Sequence, residues 1–140
     1  MRKLAATELT SMDGVVGSPD EWAFSYTDDE MTAEDEAGMA ASDALLLGRV
    51  TYEEFASFWP NQPGGTPMVD YINSVRKYVV SETLDEPLGW NNSALIGGKE
   101  KSVVEEIAEL KNRPGKDITI TGSIILVRSL MREGLLDELR

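Results

Sequence analysis

Apolar positions come along this chain in short runs, each bounded by polar residues and most ending at a glycine or a hydroxyl. Leu4-Ala5-Ala6-Thr7-Glu8-Leu9-Thr10 reads as a first strand, and Ser11-Met12-Asp13-Gly14 as a turn in which Gly14 supplies a positive φ. Ala44-Leu45-Leu46-Leu47, closed by Gly48, is a continuous apolar run of the kind a strand shows when both its faces are buried. Lys77 to Ser81, Ser93 to Ile96 and Ile118 to Thr121 are the further strands. Between them the period changes to that of a helix: Thr27 toward Ser42, Tyr52 to Phe58, Met68 to Ser74, Glu100 to Lys111, and a last helix through Ile124, Val127 and Met131. Val15 to Asp20, the breaker-rich Trp59 to Pro67, and Glu82 to Asn92 are loops.

The helix starts carry their own signals. Thr27 with Glu30, and Thr51 with Glu54, have the spacing of a capping box, and Ser123 is placed to cap the last helix. Strands alternating with helices predict an α/β domain with a mainly parallel sheet and helices on both faces, and 140 residues make one domain, residues 1–140. Ligands of such sheets bind beyond the carboxyl ends of the strands.

Composition narrows the chemistry. Thirteen Lys and Arg against 25 Asp and Glu leave a net charge of −12, which argues against nucleic acid or an anionic membrane as partner. No 18-residue apolar run and no signal-peptide core occur, so a cytoplasmic protein is expected. With no Cys and no His, thiolate nucleophiles, histidine triads and the usual transition-metal sites are excluded, and no metal is expected. A catalyst built from this alphabet uses carboxylates, Lys, Tyr or hydroxyls, or lets a cofactor carry the reaction.

Two places then stand out. At Gly48-Arg49-Val50-Thr51 a strand meets a helix, so free N–H groups and the positive end of the helix dipole gather beside an arginine; this outlines an anion site, and equally an ordinary joint with a surface arginine. Thr121-Gly122-Ser123-Ile124 repeats the pattern. Asp28, Asp29 and Glu30 fill a first helical turn, where the dipole alone accounts for acidic residues; next to Trp22 they are also candidates for a functional acid.

Four pieces in this order and spacing resemble the dihydrofolate-reductase-like superfamily, above all its branch similar to the reductase domain of the bifunctional riboflavin-biosynthesis deaminase/reductase. They are Ser11 to Val16, Leu46 to Glu53, Val79-Val80-Ser81, and Thr121-Gly122-Ser123 followed by Gly134 to Glu138. The resemblance implies a three-layer αβα fold and a small reductase that passes a hydride from NADPH to a C=N or C=O of a pteridine-, folate- or aminopyrimidine-like substrate. It implies that Gly48, Arg49, Val50 and Thr51 hold phosphates, that Ser81 lies near the adenosine 2′ position, that Gly122, Ser123 and Ile124 underlie the pyrophosphate and nicotinamide ribose, and that Leu9 and Val16 flank the nicotinamide. The acid of the folate enzyme has its nearest match in Asp28, Asp29 and Glu30. Val50 stands where many relatives carry a second basic residue, so NADPH is expected with NADH as the alternative. A non-catalytic dinucleotide- or metabolite-binding protein, and a structural relic without ligand, are the competing classes. Relatives continue past Asp137-Glu138 into further strands, so a domain lacking its C-terminal strands, self-associating as a homodimer or more, is the expectation.

Overall fold

The computed structural model describes all 140 residues. Its order is β1 (Leu4–Thr7), α1 (Pro19–Trp22), α2 (Asp29–Ala41), β2 (Ser42–Gly48), α3 (Arg49–Phe58), α4 (Pro67–Ser74), β3 (Arg76–Val80), β4 (Ser93–Ile96), α5 (Val103–Asn112), β5 (Asp117–Thr121), α6 (Ile124–Arg132) and β6 (Glu138–Leu139), with single 3₁₀ turns at Phe24–Tyr26 and Trp59–Asn61. All six strands are parallel and lie in the order β4-β3-β2-β5-β1-β6.

Side-chain alternation along the strands divides the core in two. Leu4, Ala6, Ala44, Leu46, Ile118 and Ile120 face Ile107 and Leu110 of α5 and Val127 and Leu130 of α6. Leu45, Leu47 and Val79 face the other way, against Tyr52 of α3, Ile72 of α4 and Trp90. The domain is thus a three-layer αβα sandwich, as the alternating pattern predicts. Leu46 and Leu47 are both fully buried on opposite faces, which is why β2 needs a continuous apolar run. No helix is long and apolar enough to cross a membrane.

The helix starts differ from the sequence expectation in an instructive way. Thr27 does not cap α2; Asp28 does, its carboxylate accepting from the Met31 N–H at 2.9 Å, since a short ionised acceptor caps better than a threonine. Thr51 does not cap α3 either. Gly48 is the N-cap, the helix begins at Arg49, and Thr51 lies inside the first turn with no capping box to Glu54. Ser123 holds the N-cap position of α6 in the left-handed region, at φ 53, yet its hydroxyl caps nothing in that helix. The fifth helix starts at Val103 rather than Glu100, because Ser102 and Glu105 form a complete capping box. The helical turn Pro19–Trp22 falls where the sequence pattern predicts a loop.

Candidate functional site

Strand β2 hands its chain to α3 on one face of the sheet and onward to β3, whereas its neighbour β5 hands over to α6 on the opposite face and onward to β6. The two connections diverge at the carboxyl ends of adjacent strands, which is the switch point where parallel α/β sheets open a crevice. The two strand–glycine–helix joints seen in the sequence therefore meet there.

They do more than meet. The Gly48 N–H donates to Ser123 Oγ at 2.9 Å, and the Ser123 N–H donates to Thr51 Oγ1 at 3.1 Å. Each joint supplies the other's capping group, which explains why neither Thr51 nor Ser123 caps its own helix. A Cβ on Gly48 would come within 3.5 Å of the Ser123 hydroxyl, and one on Gly122, at φ +63, within 3.4 Å of the Thr51 side chain. Both distances are ordinary van der Waals contact, so it is the left-handed φ of Gly122, and not a lack of room, that calls for a glycine. The N–H groups in the first turns of α3 and α6 have no carbonyl one turn earlier in their own helices, so two positive helix ends lie side by side.

Arg49 stands at this place but not free: its guanidinium donates to Glu53, one turn on, at 2.8 Å, both side chains being nearly half exposed. An exposed i,i+4 pair is worth only about 0.3–0.5 kcal/mol, so an anion could draw the arginine away at small cost. Val50 is exposed and offers no charge. Ser81, at the carboxyl end of β3, is buried, and its hydroxyl accepts from the N–H groups of Thr83 and Leu84 at 3.2 and 3.1 Å; it shapes the loop there.

On the same edge of the sheet, past β1, lies a cleft of about 570 Å³ whose lining includes Leu9, Met12, Val15, Trp22, Tyr26 and Met31. Leu9 lines it, while Val16 is half-buried next to the lining residue Val15. Trp22 is anchored by its indole N–H donating to the Gly17 carbonyl at 3.0 Å. Trp59, by contrast, packs on the face of α3 and α4 with Phe55 and Phe58 and is no part of this cleft.

The acidic trio is not brought into the cleft. The Asp28 carboxylate is engaged as a helix cap, Asp29 and Glu30 are exposed, and of that turn only Met31 reaches the lining. The acid that does line it is Asp13, exposed and accepting a hydrogen bond from the Ser11 hydroxyl, which the sequence reading treats as a turn residue. Glu8, with Leu4 and Ala6, falls on the alternation that faces the core, and burial pushes its carboxyl up to about 7.

Known proteins agree with this architecture. The family model of the RibD C-terminal domain matches residues 2–140. The uncharacterised protein YyaP of Bacillus subtilis (strain 168) is 32% identical over 101 residues, which are 70% of this chain and 51% of YyaP, so the match takes in about half of that relative. Among solved structures, a candidate riboflavin biosynthesis protein from Shewanella sp. PV-4 superposes with a TM-score of 0.67 at 25% identity, over 98% of this chain and 73% of that one. Dihydrofolate reductase from Enterococcus faecalis, complexed with NADP(H) and RAB-propyl, superposes with a TM-score of 0.57 at 18% identity, over 94% of this chain and 65% of that one. With the family model running over all but the first residue and both solved structures superposing on more than nine-tenths of the chain, this chain belongs to the RibD C-terminal domain family and has the dihydrofolate-reductase-like fold.

Proposed function

We propose that this domain is a reductase that binds NADPH across the carboxyl edge of its sheet and reduces a C=N or C=O of a pteridine-, folate- or aminopyrimidine-type heterocycle. The observation that carries the reading is the interlacing of the β2–α3 and β5–α6 joints, which brings two helix N-termini and Arg49 together on the sheet edge that also carries, past β1, a largely apolar cleft lined by Trp22. The residues fit a dinucleotide phosphate by their chemistry: Gly48 and Gly122 add no side chain at the two helix starts, and Arg49 is held there only by an exposed pair. The family and the NADP(H) complex of a protein of the same fold support the choice of cofactor.

When bound, the dinucleotide supplies a hydride. The residues of this chain bind and orient: Gly48, Arg49, Val50 and Thr51 from one first turn, and Gly122, Ser123 and Ile124 from the other, are assigned to the phosphates, with Ser81 near the adenosine. Leu9 and Val16 are assigned to the nicotinamide side, and Met12, Trp22 and Tyr26, of which Met12 and Tyr26 are exposed, offer apolar surface for a planar substrate to cover.

A second reading, a dinucleotide-binding protein without turnover, draws on one observation: Asp28, Asp29 and Glu30 do not line the cleft. Titration with NADPH and NADH followed through Trp22 fluorescence, together with substrate-dependent NADPH oxidation on a panel of pterins and aminopyrimidines, separates the two. Saturable quenching with turnover is the expected result. Saturable quenching without turnover selects the second reading, and no binding of either dinucleotide sinks both.

A further inference from the structure

We propose that Glu8 is a ligand-binding residue of this edge, and that an anion seated at the first turn of α6 is bound with uptake of a proton by the Glu8 carboxyl group. The inference rests on reading the interlaced joints as a dinucleotide phosphate site.

Glu8 prolongs β1 by one position. Its N–H donates to the Arg140 carbonyl at 3.1 Å, and the Arg140 N–H donates to the Ala6 carbonyl at 2.8 Å, so the parallel ladder to β6 runs on through residue 8. The last registered pair with β5 is Thr7 with Thr121, which brings Glu8 beside Gly122. Alternation puts the Glu8 side chain on the face of Leu4 and Ala6, the face that packs against Val127 and Leu130 of α6. A carboxyl group therefore sits where the sheet edge meets the start of that helix. Its Oε1 is sealed from solvent and has no hydrogen-bond partner.

Nothing nearby compensates a charge on it. On β6, Arg140 pairs with Glu138, which also takes Lys3. On α6, Arg128 and Arg132 are exposed, and at the neighbouring joint Arg49 pairs with Glu53. In the loop after β1, Asp13 holds Ser11, and Asp117 lies at the far end of β5. Burial alone accounts for the raised pKa of Glu8, about 7. An ionised carboxylate here opposes an incoming phosphate in a partly dry place, whereas the neutral acid removes that repulsion and offers an O–H donor. Binding of the anion and protonation of Glu8 thus favour each other.

The test is calorimetric titration of the whole chain with NADH, whose pyrophosphate stays ionised throughout, in two buffers of different ionisation enthalpy from pH 6 to 9. At pH 7 about half a proton should be taken up per NADH bound, and Kd should rise by about tenfold per pH unit well above that pH. Glu8→Gln should bind NADH at pH 6 within about twofold of the wild type, take up no proton, and show a flat Kd to pH 9; with NADPH the titration of the ligand's own phosphomonoester cancels between the two proteins. Glu8→Leu, of similar bulk, should also take up no proton. Melting adds a readout without ligand. The folded carboxyl keeps a proton that the unfolded chain releases, so the wild type should lose stability as pH rises from about 4.5 to about 7, and Glu8→Gln should not. Saturable NADH binding without proton uptake, or a Glu8→Gln protein with the wild-type pH slope, overturns the role of Glu8 and leaves the dinucleotide reading standing. A wild type that binds neither NADH nor NADPH at any of these pH values overturns both.

Discussion

The two edges of this sheet are built on opposite principles. At the amino edge every buried cation is fully engaged. The Arg2 guanidinium pairs with Asp43 and donates to the Lys116 carbonyl at 2.6 Å. Lys111, buried at the end of α5, reaches Asp137 and the Leu135 carbonyl, both at 2.7 Å, and Asp137 accepts from the Leu4 N–H at 2.8 Å. Lys77, wholly buried, donates to the carbonyls of Val75 and Asn91 and lies 4.2 Å from the centre of the Trp90 ring; burial lowers its pKa to about 8. At the carboxyl edge it is charged groups that are left over, an arginine on a weak surface pair and a carboxyl oxygen with no partner, together with first-turn N–H groups of two helices, whereas the buried side-chain atoms without a partner elsewhere, Trp59 Nε1 and Ser93 Oγ, are neutral. A buried charge that is satisfied holds a strand start in place, whereas unsatisfied donors and acceptors are free to recognise something else. On the proposed function, the difference separates the end that stabilises from the end that binds.

The largest effect that would break this comparison is at the amino edge. Lys111→Ala leaves Asp137 and the Leu135 carbonyl without their cation, and should cost about 3 kcal/mol of stability in urea denaturation, while dinucleotide affinity of the folded fraction stays within about twofold. A large loss of affinity would mean that the two edges are not separate.

Arg49→Ala is the reciprocal experiment. Dinucleotide binding should weaken by about 1.5–3 kcal/mol, the range of a hydrogen bond to a charged group, with stability changed by less than about 0.5 kcal/mol because only an exposed intrahelical pair is lost. Unchanged affinity in a folded variant would remove Arg49 from the site.

Gly122→Ala touches both properties. An alanine there must hold a left-handed φ of +63, with its methyl in ordinary contact with Thr51, which should cost about 1–2 kcal/mol of stability. By straining the turn that carries Ser123 it should also weaken dinucleotide binding, read by the same Trp22 titration. A variant that loses stability but binds normally would make the interlacing purely structural.

The smallest effect sharpens the cofactor assignment. Val50 is exposed in the first turn of α3, beside Arg49. Val50→Arg should raise the preference for NADPH over NADH by up to about tenfold, since a second guanidinium can pair with a 2′-phosphate and finds nothing corresponding in NADH. An equal gain for both would point to general charge on a −12 chain.

Much of the fold is local and was legible in the residues. Leu45, Leu46 and Leu47 in succession demand a strand covered on both faces, the helical spacing of Val103, Ile107 and Leu110 demands one buried stripe, and alternation of the two demands parallel strands with helices between. The two glycine-ended joints were visible for the same reason, because a turn from strand to helix is decided by a few neighbouring dihedrals. What stands against what is not local. The order β4-β3-β2-β5-β1-β6 sets β5 beside β2 although about seventy residues separate them, and only that adjacency makes the hydroxyls of Thr51 and Ser123 cap one another's segment instead of their own. The same holds for Glu8: its alternation with Leu4 and Ala6 lies in the sequence, but the absence of any cation around it is a property of six strands and two helices together. Short-range propensity chose the elements of this chain, and long-range packing chose which of their polar groups would be left without a partner.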